Sequence, residues 1–149
     1  MAELGCSQIN IVGRNKDKLA QFWQSWQDSP KISSLLKIHY WENLASLVAE
    51  ADLLVNTTPI GMYPHGDRSP ISPEIMTKLK PNAIAYDLIY TPSPTKFLQL
   101  AETKGATIID GLEMLVQQGA AALEIWVKQP ISSEVTEIMM RSLQQKLYG

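Results

Sequence analysis

A basic segment follows the first strand-like run of the chain. The apolar run 8–12 is closed by Gly13, and Arg14, Lys16 and Lys18 come directly after it. In doubly wound parallel sheets ligands lie beyond the carboxyl ends of the strands, where the ribose of a dinucleotide can be read. An acidic residue there favours a free 2′-hydroxyl, whereas these cations offer charge-assisted hydrogen bonds to a 2′-phosphate. The segment therefore favours NADP over NAD, with a merely solvated helix start as the alternative.

Small polar residues follow the most apolar run. Residues 52–56 are apolar between polar ends, which predicts a strand buried on both faces. Thr57 and Thr58 come next, where the backbone would pass near a ligand, and Gly61 allows an unusual turn. An ordinary strand-to-loop turn, capped by Asn56 and threonine, is the alternative.

Two side chains suit a ligand that carries hydroxyl groups. Tyr90 follows the predicted strand 83–87, and its hydroxyl can donate or accept a hydrogen bond. Gln118 lies beside Leu115 and Gly119 in an otherwise apolar helix. An unpaired buried amide costs about 1 to 3 kcal/mol, so we expect a partner for Gln118. Packing of the tyrosine and a backbone carbonyl for the glutamine are the alternatives.

Alternating periodicities predict how these residues are positioned. Strand-like runs alternate with amphipathic helical ones, as in an α/β domain with a parallel sheet. The predicted strands are 8–12, 37–41, 52–56, 83–87 and 107–109, and the predicted helices are 16–26, a short one around 44–48, 73–79, 94–104, 111–128 and 133–147.

Two of these helices have predicted core-facing stripes, and the last helix is expected to pack across the edge of the sheet. The stripes are Leu19, Phe22, Trp23 and Trp26 in the first helix, and Leu112, Leu115, Val116, Gly119, Ala120, Leu123 and Trp126 in the helix 111–128.

Size and composition indicate one ordinary domain. The 149 residues carry 13 basic and 15 acidic side chains without a long run of either sign, which does not favour docking on nucleic acid or a membrane. No apolar stretch approaches the roughly 20 residues of a membrane span, and no leader is recognisable, so a cytoplasmic location is expected. Cys6 has no Cys or His neighbours at zinc spacing; we expect a buried thiol and no structural metal.

Several blocks of the sequence resemble the carboxyl-terminal, NADP-binding half of the shikimate dehydrogenases. The resemblance covers nearly the whole chain, and its last two blocks are highly specific in order and spacing. It implies an oxidoreductase that reduces 3-dehydroshikimate to shikimate with NADPH, in the pathway to chorismate and the aromatic amino acids. The blocks are 13–15, 56–62, 86–92, Thr95, 110–116 and 118–120.

The resemblance also implies roles for individual residues. The basic segment would read the 2′-phosphate, with Arg14 as the main contact because Gly13 and Asn15 stand where the family has asparagine and threonine. Gly111, which is otherwise a simple turn glycine, would lie beside the nicotinamide. No catalytic residue is assigned. The implied cofactor-binding residues are Gly13, Arg14, Asn15, Lys16, Lys18, Thr57, Leu88, Gly111 and Met114, and the implied substrate contacts are Tyr90 and Gln118.

Three features of the family have no counterpart in the sequence. These are the amino-terminal substrate domain with its proton-transfer lysine and aspartate, the glycine-rich phosphate loop, and the central first strand. Gly5 stands alone, and residues 1–4 resemble the end of the helix after that loop. We therefore expect a partial NADP-binding domain over residues 1–149. Its fold would be an incomplete Rossmann-like doubly wound parallel sheet flanked by helices, with two strands separated from three.

The expected partners are the substrate, shikimate or 3-dehydroshikimate, and the missing amino-terminal half of the enzyme. The isolated chain is expected to be inactive, because the general acid would belong to that half. Two alternatives stay open: a non-catalytic nucleotide-binding or interaction module, and a relative of quinate dehydrogenase.

Overall fold

The computed structural model describes residues 5–149. The prediction for residues 1–4 lies outside the described residues. The chain forms two compact units, Met1–Glu50 and Ala51–Gly149. A single domain over the whole chain stays a prediction.

The first unit contains a two-stranded parallel sheet. Its strands pair in a register that sets Gly13 opposite Tyr40. The elements are β1 (Ile9–Gly13), α1 (Lys16–Gln24), α2 (Pro30–Ser33), β2 (Leu36–Tyr40), a 3₁₀ turn (Trp41–Asn43) and α3 (Leu44–Glu50).

The predicted stripe of α1 is wrong beyond its first turn. Leu19 is buried, but Phe22 is exposed and Trp26 lies past the end of the helix. The helix ends early because polar side chains take its last carbonyls: the Ser25 hydroxyl donates to Phe22 O at 2.7 Å, and the Gln27 amide donates to Trp23 O at 3.3 Å. The prediction for the only cysteine is also wrong, since that thiol is half-buried close to the start of the described residues.

The second unit contains a three-stranded parallel sheet in the order β3-β4-β5. The five strands and their division into two and three are confirmed. The elements are β3 (Leu53–Asn56), α4 (Pro73–Met76), β4 (Ile84–Asp87), α5 (Lys96–Glu102), β5 (Thr107–Ile109), α6 (Leu112–Val127) and α7 (Ser133–Tyr148).

Burial in this unit is greatest around β4, α5 and the start of α6. The buried apolar side chains there include Ala85, Phe97, Leu98 and Val116. By contrast, the apolar residues of β3 are only half-buried, so the predicted burial on both faces is wrong. The reason is that β3 is an edge strand of its sheet, paired with β4 alone.

The stripe of α6 is also shorter than predicted. Leu112, Val116 and Ala120 are buried, whereas Trp126 is 78% exposed. Helix α6 packs against α7, and no residue of α7 is buried. The carboxyl-terminal end of α6 is therefore largely exposed to solvent. No helix within residues 5–149 is long and apolar enough to cross a membrane.

Candidate cofactor- and substrate-binding residues

Two cations of the first unit lie on aromatic rings. The guanidinium carbon of Arg14 is 5.8 Å from the ring centroid of Trp41, and Lys16 Nζ is 4.7 Å from that of Tyr40. Both distances are within the range of cation–π attraction. The pairs meet because β1 and β2 are parallel and end side by side. We call Arg14, Lys16, Tyr40 and Trp41 the basic–aromatic cluster.

The other predicted residues of the basic segment shape the start of α1. Asn15 is its N-cap, and its side-chain oxygen accepts a hydrogen bond from Lys18 N at 2.9 Å. The Lys18 side chain is exposed. Gly13 passes close to the helix, since a Cβ atom there would lie 3.1 Å from the Leu19 side chain. The structure therefore brings Gly13, Asn15 and Lys18 together with the cluster cations in one turn.

The sequence reasoning missed the two aromatic members of the cluster. The sequence pattern predicts that Tyr40 lies in a strand and that Trp41 ends it, and it indicates no functional role for either. The signal that identifies them is the strand order: an aromatic residue that ends β2 must lie beside whatever follows β1.

A fully buried carboxylate lies where β4 ends in the second unit. Asp87 accepts hydrogen bonds from Asn56 Nδ2 at 3.0 Å, Ile89 N at 3.1 Å and Thr95 Oγ1 at 2.7 Å. Asn56 and Thr95 are themselves buried. Thr95 also caps α5, because its hydroxyl oxygen accepts from Leu98 N. These contacts tie the ends of β3 and β4 to the start of α5.

Asn56 extends this network into the turn that follows β3. Its Oδ1 accepts from Thr58 N at 3.0 Å and from Thr58 Oγ1 at 2.8 Å. We call Asn56, Thr58, Asp87 and Thr95 the Asp87 network. These bonds show that Asn56 and Thr58 cap the turn after β3, which is the alternative given above for this segment.

The predicted unusual turn at Gly61 is confirmed. Its φ is +101°, and a Cβ atom would lie 3.0 Å from Arg68 O. Thr57 is exposed in the same loop, close to the Asp87 network. Its predicted contact with a cofactor therefore involves an accessible side chain.

Leu88 and Gly111, the predicted nicotinamide neighbours, lie against each other. A Cβ atom on Gly111 would be 2.0 Å from Leu88 O, so only glycine permits this approach. Gly111 N also donates to Ile89 O at 3.1 Å. Met114, in the first turn of α6, is half-buried. The loop after β4 and the start of α6 thus form one continuous backbone surface.

Tyr90 is 38% exposed, and its backbone is held by the last helix. The hydroxyl of Tyr148 donates to Tyr90 O at 3.0 Å. Burial raises the pKa of Tyr148, the negative charge of Asp110 adds to this, and a hydrogen bond with Ser93 opposes it. Asp110 in turn accepts from the Ser93 hydroxyl and from Leu112 N. The Tyr148 contact is made to the Tyr90 backbone, and the Tyr90 side chain is partly exposed.

The predicted burial of Gln118 is wrong. The buried residues of α6 are Leu112, Val116 and Ala120, four positions apart on one face. Gln118 is two positions, or about 200°, from both Val116 and Ala120, so it points away from that face and is exposed. No burial cost obliges its amide to find a partner, and its contact with substrate stays a prediction.

Solved structures with the same arrangement define the class of this protein. A chorismate mutase/shikimate 5-dehydrogenase fusion protein from Clostridium acetobutylicum superposes with a TM-score of 0.76 at 31% identity, over 95% of this chain and 47% of that one. Shikimate 5-dehydrogenase from Thermus thermophilus, solved in complex with NADP(H) and shikimate, gives 0.71 at 27% identity, over 94% and 47%. The chain is a Rossmann-like α/β protein.

Sequence comparisons then identify the proteins that this chain resembles. Residues 111–144 match the model of the shikimate 5′-dehydrogenase C-terminal domain. The shikimate dehydrogenase (NADP(+)) of Crocosphaera subtropica is 55% identical over all 149 residues of this chain and 50% of its own length. The chain is similar to the shikimate dehydrogenases over its whole length, and it spans about half the length of the curated relatives it matches.

Proposed function

We propose that this chain is the NADP-binding part of an enzyme that reduces 3-dehydroshikimate to shikimate. The observation that carries the proposal is the pair of cations, Arg14 and Lys16, beyond the carboxyl ends of β1 and β2. This is where a parallel sheet of this class binds the adenosine side of a dinucleotide. The donors fit a 2′-phosphate, since guanidinium and ammonium groups make charge-assisted hydrogen bonds to phosphate oxygens.

The second unit would supply contacts to the reacting groups. When bound, NADPH supplies the hydride for the reduction of a ketone. The surface beside the nicotinamide would be formed by Leu88, Gly111 and Met114. Because Gly111 has no side chain, the ring could approach the backbone closely there. Tyr90 and Gln118, both exposed, would orient the substrate by hydrogen bonds.

We propose that the general acid comes from an amino-terminal half like that of the longer relatives, which would be the partner of this chain. The end of α6 and the face of α7 support such a partner, because Ile125 and Trp126 are 75% and 78% exposed and Val127, Val135 and Ile138 are also exposed. Exposed apolar surface of this kind marks interaction sites. We also propose a cytoplasmic location for this protein.

Two measurements test the proposal. Calorimetric titration of the purified chain should show NADP⁺ binding more tightly than NAD⁺. NADPH oxidation with 3-dehydroshikimate should be negligible for the chain alone and should appear when the amino-terminal half of the Crocosphaera subtropica relative is added. Binding without reconstituted turnover would favour the non-catalytic nucleotide-binding module. Turnover by the chain alone would refute the assignment of the general acid to residues outside this sequence.

A further inference from the structure

We propose that Tyr40 and Trp41 are specificity-determining positioning residues. Their rings hold the Lys16 ammonium and the Arg14 guanidinium in place for a 2′-phosphate, so discrimination between NADP⁺ and NAD⁺ depends on both aromatic side chains. The inference rests on the proposed NADP binding and deepens it, because it assigns selectivity to residues that follow the neighbouring strand.

The contacts join residues that are distant in sequence. Arg14 and Lys16 follow β1, whereas Tyr40 ends β2 and Trp41 comes directly after it. The register that pairs Gly13 with Tyr40 fixes this meeting. Each cation is therefore held by an aromatic ring at the end of the neighbouring strand, at 5.8 Å for Arg14 and 4.7 Å for Lys16.

No carboxylate among residues 5–149 forms an ion pair with these cations. Within residues 5–149 the ion pairs are Lys80 with Asp52 and Arg141 with Glu137, and neither involves the cluster. An aromatic face attracts a cation through its quadrupole without cancelling its net charge. Arg14 and Lys16 therefore keep their full attraction for a dianionic phosphate while their side-chain motion is restricted.

Restricting these side chains should strengthen phosphate binding by a measurable amount. Long cationic side chains lose rotamer freedom when they bind, and a contact already made in the free protein reduces that loss. Cation–π contacts at exposed sites correspond to about 2- to 5-fold in an equilibrium constant. We expect losses of that size for each ring, confined to ligands that carry the 2′-phosphate.

The test compares adenosine 2′,5′-bisphosphate with 5′-AMP, two probes that differ only in the 2′-phosphate. Calorimetry on the full chain gives the ratio of their affinities. Y40L and W41L remove the ring, Y40F and W41F retain an aromatic face, and W26L removes a tryptophan of the same unit outside the cluster. Circular dichroism checks each fold, and Y40L carries the test alone if W41L does not fold, since Tyr40 is largely exposed.

The expected result is a lower affinity ratio, by about 2- to 5-fold, in Y40L and in W41L, with 5′-AMP affinity unchanged. Y40F, W41F and W26L should keep ratios close to that of the unmodified chain. An unchanged ratio in a folded Y40L variant would overturn the positioning role while leaving NADP binding intact. No preference for the bisphosphate in the unmodified chain would overturn both proposals.

Discussion

The basic–aromatic cluster of the first unit and the Asp87 network of the second use polar groups in opposite ways. In the cluster, the Arg14 and Lys16 side chains are exposed and have no anionic partner among the described residues. In the network, Asp87 is fully buried and accepts three hydrogen bonds from the protein. The charges of Arg14 and Lys16 are therefore available to a ligand. The charge of Asp87 instead accepts hydrogen bonds that fix the loops after β3 and β4.

This difference predicts that the basic–aromatic cluster determines ligand affinity, whereas the Asp87 network determines the free energy of unfolding. Exposed cations contribute little to folding, because water and salt screen their interactions. A buried carboxylate that loses a partner leaves an unsatisfied polar group, which is costly. Substitutions in the network should therefore change unfolding first, and substitutions in the cluster should change ligand affinity first.

The largest loss of stability is expected for Gly111→Ala. The new methyl group would lie 2.0 Å from Leu88 O, and backbone on both sides would have to move. Overpacking against backbone of this severity should cost about 3 kcal/mol or more in the free energy of unfolding, measured by urea denaturation. Gly119→Ala is the control, since its methyl group would meet only the tip of the Met139 side chain. Equal stability of the two variants would contradict the close backbone approach.

A smaller loss is expected for Asp87→Asn. One carboxylate oxygen becomes an NH₂ group, which cannot accept a hydrogen bond. In place of Oδ1 it would face Asn56 Nδ2 and Ile89 N, and in place of Oδ2 it would face Thr95 Oγ1. The Thr95 hydroxyl can rotate to relieve part of the conflict, so we expect a cost of about 1 to 3 kcal/mol. Asp67→Asn, at an exposed carboxylate, is the matched control and should change stability by less than about 0.5 kcal/mol. Unaltered urea midpoints in both variants would show that the network does not stabilise the unit.

The contact of Tyr148 with Tyr90 should weaken in alkali. Because the folded-state pKa of Tyr148 is raised, its stabilising contribution is complete below the unfolded value of about 10 and is lost as the pH rises through the folded value. Tyr148→Phe should cost about 0.5 to 1.5 kcal/mol at neutral pH through the lost hydrogen bond. The difference in unfolding free energy between the unmodified chain and this variant should shrink above about pH 10.

The control for that measurement is Tyr63→Phe, which removes the hydroxyl of a largely exposed tyrosine. The comparison by difference is needed because Tyr86 also has a raised pKa, caused by burial and by the charges of Glu113 and Asp110. The contribution of Tyr86 to the free energy of unfolding is the same in the unmodified chain and in Tyr148→Phe, so it cancels in the difference. A constant difference between pH 7 and pH 11 would show that titration of the Tyr148 hydroxyl is not coupled to folding.

Local patterns were sufficient for the strands and for one turn. The strand at 107–109 was predicted at its observed bounds, and the positive φ of Gly61 follows from a glycine among turn residues. These features depend on a few consecutive residues. Periodicity was less reliable for burial: Trp126 continues the apolar stripe of α6, but the pattern does not reveal how far a neighbouring element covers that stripe.

Contacts between distant segments explain what the sequence reasoning missed. Pairing of Arg14 with Trp41 depends on the register of β1 and β2, which no local pattern specifies. The contact of Tyr148 with Tyr90 spans 58 positions and likewise requires the packed structure. Gln118 was misplaced because its apolar neighbours in sequence point in other directions around the helix.

The smallest effect on stability is expected for Arg14→Ala, and it gives the sharpest separation of the two regions. Its guanidinium is exposed and contacts Trp41 without an ion pair, so the free energy of unfolding should change by less than about 1 kcal/mol. Affinity for adenosine 2′,5′-bisphosphate should nevertheless fall by about 10-fold or more, because a charge-assisted hydrogen bond to phosphate is lost. Lys31→Ala, at an exposed lysine of the same unit outside the cluster, is the control and should change neither quantity appreciably. An Arg14→Ala variant that unfolds readily but binds normally would reverse the roles assigned to charge in the two units.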